Sequence, residues 1–213
     1  DALRLPDQLA GVDRDLQPIS QLVSLPNLLV IDPKLPVKDI PSLIAYLKAN
    51  EKTAQFGSAG VGSGTHLPCV LFNLAIGANI THIPYRGEGP VMQDLIGGRI
   101  DYLCSTIQNG APQAKQGTVK AIAVMAEKRV PIIPDVATTR EQGLPGVEAS
   151  VWNAFFLPKG TPEPIVRKLN KAMSDTLDDP DEVSDDPREI VLRAAPRYER
   201  YLERARTWPG EDA

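Results

Sequence analysis

From Pro26 to Ala126 short apolar runs alternate with stretches whose apolar residues recur at helical spacing, the pattern of βαβ units and a mainly parallel sheet. Leu28-Leu29-Val30-Ile31 predicts a strand. Asp39 predicts a helix cap, with Pro41 in the first turn and Ile40, Leu43, Ile44 and Leu47 on one core-facing side. Gln55-Phe56-Gly57 predicts a short strand running into the glycine-rich loop Ser58-Ala59-Gly60-Val61-Gly62-Ser63-Gly64. Leu67, Val70, Leu71, Leu74 and Ala75 mark the helix after it. Pro68 has no N–H and fits a first turn, which makes Thr65, or a residue just before it, the expected cap. Ile80 to Tyr85 predicts the next strand, and Pro90 opens a helix through Val91, Met92, Leu95 and Ile96 that Gly97-Gly98 closes. Strands follow at 100–104 and 119–125, then a proline-rich crossing over 129–145 with a short helix at 138–142. Ser150 to Leu157 predicts a strand, and Thr161-Pro162-Glu163-Pro164 starts a helix reaching Leu177, with Ile165, Val166, Leu169, Ala172 and Met173 apolar. The tail is acidic over 178–186 and arginine-rich over 188–206, where Tyr198, Tyr201, Leu202 and Ala205 predict an amphipathic helix.

Composition narrows the function. A chain of 213 residues has room for one to two domains, and no apolar run reaches the ~20 residues of a membrane-spanning helix. The net charge of −4, from 23 basic and 27 acidic residues, gives no general attraction to phosphate, so no nucleic-acid partner is expected and any anion site must be local. Residues 1–11 carry neither the basic nor the apolar region of a secretory leader. His66 and His82 are the two histidines, and Cys69 and Cys104 lack metal-ligand spacing, so neither a metal nor a cofactor is expected. Cys69 lies in the helix after the glycine loop and Cys104 ends a strand that a parallel sheet places nearby. A disulfide is therefore expected in an oxidising compartment, with two buried thiols as the alternative.

The loop from Gly57 to His66 is the strongest chemical signal, because glycines let backbone N–H groups converge and a helix N-terminus adds partial positive charge. A phosphate-binding P-loop would need a lysine after the last glycine, and a dinucleotide fingerprint needs GxGxxG where this loop has GxGxG. Nucleophilic catalysis by Ser63 or Ser58 with His66 would need an orienting acid, and strand–GxSxG–helix is absent. What remains is a cradle for a carboxylate. Arg86 ends a strand in Pro84-Tyr85-Arg86-Gly87, at the edge where open α/β sheets take ligands, and could pair with such an anion or form a surface ion pair. Asp101 to Thr106 leaves a strand towards the same edge.

These segments together resemble the Bug-type solute receptors, the extracytoplasmic binding components of tripartite tricarboxylate transport systems. The resemblance is carried by Ser24 to Val30, Ser58 to Ser63 with Thr65-His66-Leu67, His82 to Gly87 with Pro90, and Asp94 to Asp101. Lys120 to Val124, Pro134 to Thr138 with Glu141, Gly143 to Gly146, and Pro158 to Thr161-Pro162 continue it in order. It implies an α/β fold of the type II periplasmic-binding-protein class, a clamshell with one lobe complete as a parallel sheet flanked by helices and the other partial. Residues 1–27 are then a remnant of lobe 1, 28–150 the ligand-binding lobe 2, and 151–213 the return strand and helices of lobe 1 with an irregular tail. The implied function is periplasmic binding of a small organic carboxylate for delivery to the membrane components of the transporter, with no enzymatic step and no membrane insertion. The implied ligand contacts are Ser58, Ala59, Gly60, Gly62, Ser63, Thr65, His66, Arg86, Gly87, Cys104 and Ser105. Family members normally carry a further N-terminal portion that completes the site, so truncation is expected to impair this chain and to hold its affinity for carboxylates to millimolar or weaker. The other readings are a hydrolase using the Ser63/His66 loop and a protein-interaction remnant whose arginine-rich tail binds a partner.

Overall fold

The structure, a computed structural model, describes residues 15–178, so the arginine-rich tail with Tyr198 and Tyr201 lies outside the described residues. Its elements are β1 (Leu16–Ile31), α1 (Ile40–Ala49), β2 (Gln55–Ser58), α2 (His66–Ile76), β3 (Thr81–Pro84), α3 (Glu88–Ile96), β4 (Tyr102–Thr106), α4 (Ile107–Lys115), β5 (Lys120–Met125), β6 (Ser150–Pro158) and α5 (Glu163–Asp178). They fall into two compact units, Leu25–Val151 and the described residues of 15–24 and 152–178, the boundary lying inside β1 and inside β6.

The strand order is β3-β2-β4-β1-β5. β2 pairs in parallel with β3 and β4, whereas β1 is antiparallel to both β4 and β5. Four strands therefore share a direction and β1 alone of the five runs against them, a mainly parallel sheet as expected. β1 is also far longer than the predicted 28–31; Pro18 and Pro26 interrupt its apolar run and hide its N-terminal half. Between β4 and β5 its last residues are buried on both faces, which is why Leu28 to Ile31 is continuously apolar rather than alternating. Leu29 and Ile31 join the core with Leu43 and Leu47 of α1, Phe72 of α2 and Tyr102 of β4. On the other face Gly110 of α4 lies close against Leu28.

Helix α1 starts where Asp39 predicts. The Asp39 carboxylate accepts from Ser42 N at 2.9 Å and Ser42 Oγ accepts from Asp39 N at 3.1 Å, a reciprocal capping box. Ile40, Leu43 and Leu47 are buried, each worth about 1.5–3 kcal/mol relative to exposure. Helix α2 departs from the reading. Its buried face is Pro68, Cys69, Phe72, Asn73 and Ile76, while Leu67 and Leu74 are exposed. The face is turned because Cys69 is bonded to Cys104 and Asn73 accepts from the Tyr102 hydroxyl, two buried cross-links that periodicity of apolar residues does not register.

Helix α4 was not predicted, since Gly110 and Pro112 within it read as breakers. The short helix expected at 138–142 is instead a turn. Glu141 Oε2 accepts from Thr138 N at 2.8 Å, and Gly143 and Pro145 stop the chain from continuing. In the second unit β6 pairs with β1, Asn170 of α5 donates to Ile19 O at 2.7 Å, and Val166 is buried while Ile165 is exposed.

Candidate functional site

The glycine loop leaves the carboxyl end of β2, between the ends of β3 and β4, the edge at which α/β sheets take ligands. Its own hydrogen bonds hold it. Ala59 N donates to Thr65 Oγ1 at 2.8 Å, Gly60 N to Ser58 Oγ at 3.2 Å, Ser63 N to Gly60 O at 3.2 Å and His66 N to Ser63 Oγ at 3.2 Å. Gly60 and Gly62 have φ of 134° and 78°, which a side chain would strain. Thr65 is the N-cap of α2 as expected, but its hydroxyl closes the loop onto Ala59 and makes no cap bond within the helix; Ser63 supplies that. The loop is also tied to the next strand end, Tyr85 N donating to Ser58 O at 2.9 Å and Gly87 N to Ala59 O at 3.3 Å. The N–H groups of Val61, Gly64 and Thr65 have no acceptor among the described residues and lie at the N-terminal end of α2, where the helix dipole favours negative charge.

The two histidine rings lie with centroids 4.1 Å apart and tilted by 38°, and each stacks against Phe56. His66 Nδ1 accepts from Gly62 N at 3.1 Å, so that nitrogen is unprotonated, and His82 Nε2 pairs with Ser58 Oγ at 2.7 Å. Burial holds both pKa values below the ordinary histidine range, and the neighbouring His66 lowers His82 further. A shallow cavity of about 220 Å³ beside them is lined by Phe56, His66, Asn73, Leu74 and Ile80, on the α2 side. Among the described residues neither Ser58 nor Ser63 is bonded to the His66 ring. Ser63 Oγ meets the backbone of His66 rather than its ring, and Ser58, though paired with His82, is fully buried.

Arg86 is exposed and paired with no carboxylate among the described residues, and it directly precedes Gly87, the N-cap of α3. Cys104 and Ser105 lie at the end of β4 with their groups already engaged. Cys104 is disulfide-bonded to Cys69 at a Cα–Cα distance of 5.5 Å, and its carbonyl accepts from Asn27 Nδ2 at 3.2 Å. The hydroxyl of Ser105 donates to Glu88.

Two residues at this edge escaped the sequence reading. Asn27 pairs across β1 with Thr106 on one side and Met125 on the other. Its Nδ2 also donates to Gly64 O at 2.9 Å, linking β1 to the glycine loop. Its Oδ1 is buried with no donor among the described residues, a loss of about 1–3 kcal/mol unless a water or ligand supplies one. Glu88 bridges from the start of α3 to the start of α4. An Asn just ahead of the apolar run Leu28 to Ile31 and a Glu at a helix start are the available signals, and neither distinguishes a site from a structural role.

The unit Leu25–Val151 thus carries a mixed α/β sheet with a braced glycine loop at its carboxyl edge, the place where α/β sheets take ligands. Residues 9–186 match the family described as the tripartite tricarboxylate transporter family receptor, and the chain belongs to that family. It is 40% identical over 166 residues to a UPF0065 protein in the TAR-I ttuE-ttuC' intergenic region of Agrobacterium vitis, covering 78% of this chain and 48% of that one. Among solved structures it resembles MatC from Rhodopseudomonas palustris with bound malate, at 38% identity and a TM-score of 0.77, over 87% of this chain and 62% of that one. It also resembles the periplasmic binding protein BugD, at 37% identity and a TM-score of 0.73, over 78% of this chain and 56% of that one. The fold is thus that of a receptor of this type, and the chain spans about half the length of the curated relatives it matches.

Proposed function

We propose that the unit Leu25–Val151 receives a small organic carboxylate on the glycine loop, within a periplasmic receptor that delivers it to the membrane components of a tripartite tricarboxylate transporter. The carrying observation is the braced loop whose Val61, Gly64 and Thr65 amides are left for an anion at the N-terminus of α2. Ser58, Ala59, Gly60, Gly62, Ser63, Thr65 and His66 shape that loop. Arg86 and Gly87 stand beside it, Arg86 as the counter-charge. Cys104 and Ser105 support it from β4. No bond is made or broken in this function, in keeping with a receptor family and with a Ser63 hydroxyl that does not reach the His66 ring. The malate held by MatC makes a short hydroxy-dicarboxylate a natural first probe.

A thermal-shift titration against malate, glutamate, nicotinate and citrate tests the reading, since a ligand bound only by the native state raises stability as RT ln(1 + [L]/Kd). At least one acid should raise the melting temperature of the wild type but not of Gly62→Val, whose side chain cannot accept φ of 78°. Equal shifts in both proteins, or none in either, would contradict it.

A further inference from the structure

The carboxylate of Glu88 lies at the end of β4 and is received as a bound anion would be. Oε1 accepts from the Ser105 hydroxyl and from Thr106 N, the latter at 2.9 Å. Oε2 accepts from Thr106 Oγ1 at 3.1 Å and Asn109 Nδ2 at 2.9 Å. Four donors on two oxygens fill the lone pairs of a carboxylate. Two helix N-termini converge there: Glu88 is the first residue of α3, and Thr106 is the N-cap of α4. The position adjoins the glycine loop, because Gly87 N is bonded to Ala59 O and Asn27 Nδ2 is shared between Gly64 O and Ser105 O.

We propose that Glu88 is a specificity-determining residue: its tethered carboxylate occupies an anion position at the β4–α4 junction and so excludes a second carboxylate of the ligand from it. The inference rests on the carboxylate-binding reading above. The glycine loop takes one carboxylate, while the neighbouring corner already holds a negative charge with its donors engaged. A ligand that extends towards β4 therefore meets like charge and no free donor there, and must present a neutral or cationic end on that side. Removing the side chain leaves Ser105, Thr106 and Asn109 with four donors and a space the size of a small carboxylate.

Two measurements on Glu88→Ala test this. In the first, melting temperatures are compared in acetate and in chloride of equal ionic strength. The acetate-minus-chloride difference should be larger in Glu88→Ala than in the wild type, because acetate replaces the missing group. No excess in the variant overturns the anion position, whatever ligands bind elsewhere. In the second, malate and lactate are titrated by calorimetry. The preference for malate, as the ratio of the two dissociation constants, should rise at least about tenfold in Glu88→Ala. An unchanged ratio overturns the specificity role. Acetate rescue with no binding of either acid by either protein would refute the receptor reading while supporting the anion position, so the two failures are distinguishable. Should Glu88→Ala not fold, Glu88→Gln keeps the size and removes the charge. The malate preference should then rise about two- to tenfold, and no rise overturns the proposal.

Discussion

Reducing the Cys69–Cys104 bond should lower stability more than any single side-chain truncation at the surface of this protein. The bond closes a loop with a sequence separation of 35, and its Cα–Cα distance of 5.5 Å is in the ordinary range. In the chain-entropy account a loop of that length restrains the unfolded state by about 3–4 kcal/mol. For a protein of this size that corresponds to a fall in melting temperature of about 6–16 °C. The location adds a second consequence. Cys69 lies in α2 just after the glycine loop, and Cys104 lies in β4 beside Ser105, so the bond pins the loop's helix to the neighbouring strand. Calorimetric melts of oxidised protein, of protein reduced with dithiothreitol, and of the Cys69→Ala/Cys104→Ala variant would measure the effect, with alkylation and mass spectrometry confirming each redox state. Reduced protein melting within about 2 °C of the oxidised form would show that the unfolded chain gains little freedom and would refute the argument.

Stability should also depend on pH through His66 and His82. Both folded pKa values lie below the ordinary ~6.5, so as pH falls the unfolded chain takes up protons first; the contribution is fully present above ~6.5 and is lost below it. Melting temperature should fall between neutral pH and pH 5 and fall less in His66→Gln/His82→Gln; equal slopes would exclude the pair as the cause. Phe72→Ala, at a fully buried site, should lose about 3–5 kcal/mol, whereas exposed Leu74→Lys should change stability by less than ~0.5 kcal/mol, and the reverse order in urea melts would mean α2 is turned the other way. Arg86→Ala should leave the melting temperature unchanged and weaken carboxylate binding about 10- to 100-fold, the loss of one charge-assisted hydrogen bond; unchanged affinity by calorimetry would remove Arg86 from the site.

What was legible in the sequence followed from short-range rules. The Asp39 cap, the strand entering the glycine loop and the proximity of Cys69 to Cys104 all depend on residue order and on parallel neighbours. The hidden features have partners distant in sequence. Asn27 reaches Gly64 and Ser105, 37 and 78 residues away, and Glu88 draws its donors from residues 17 to 21 positions on. A helical wheel could not orient α2, because its buried face includes Asn73, and in α4 Gly110 lies close against Ser105 and Leu28, a tertiary contact that no local rule registers. The loop itself was found from its glycines. That its hydroxyls are used to brace it rather than left for a ligand required the coordinates.

The most direct test of the account is a ¹⁵N-resolved NMR titration of the protein with malate, which reports weak and strong binding residue by residue. Carboxylate capture on the glycine loop predicts that the amide resonances of Val61, Gly64 and Thr65 move first and furthest, followed by those of Arg86 and Gly87, with α1 unmoved. Shifts confined to the cavity beside Phe56, Leu74 and Ile80, or no shift at the loop amides with malate, glutamate, nicotinate or citrate, would contradict it.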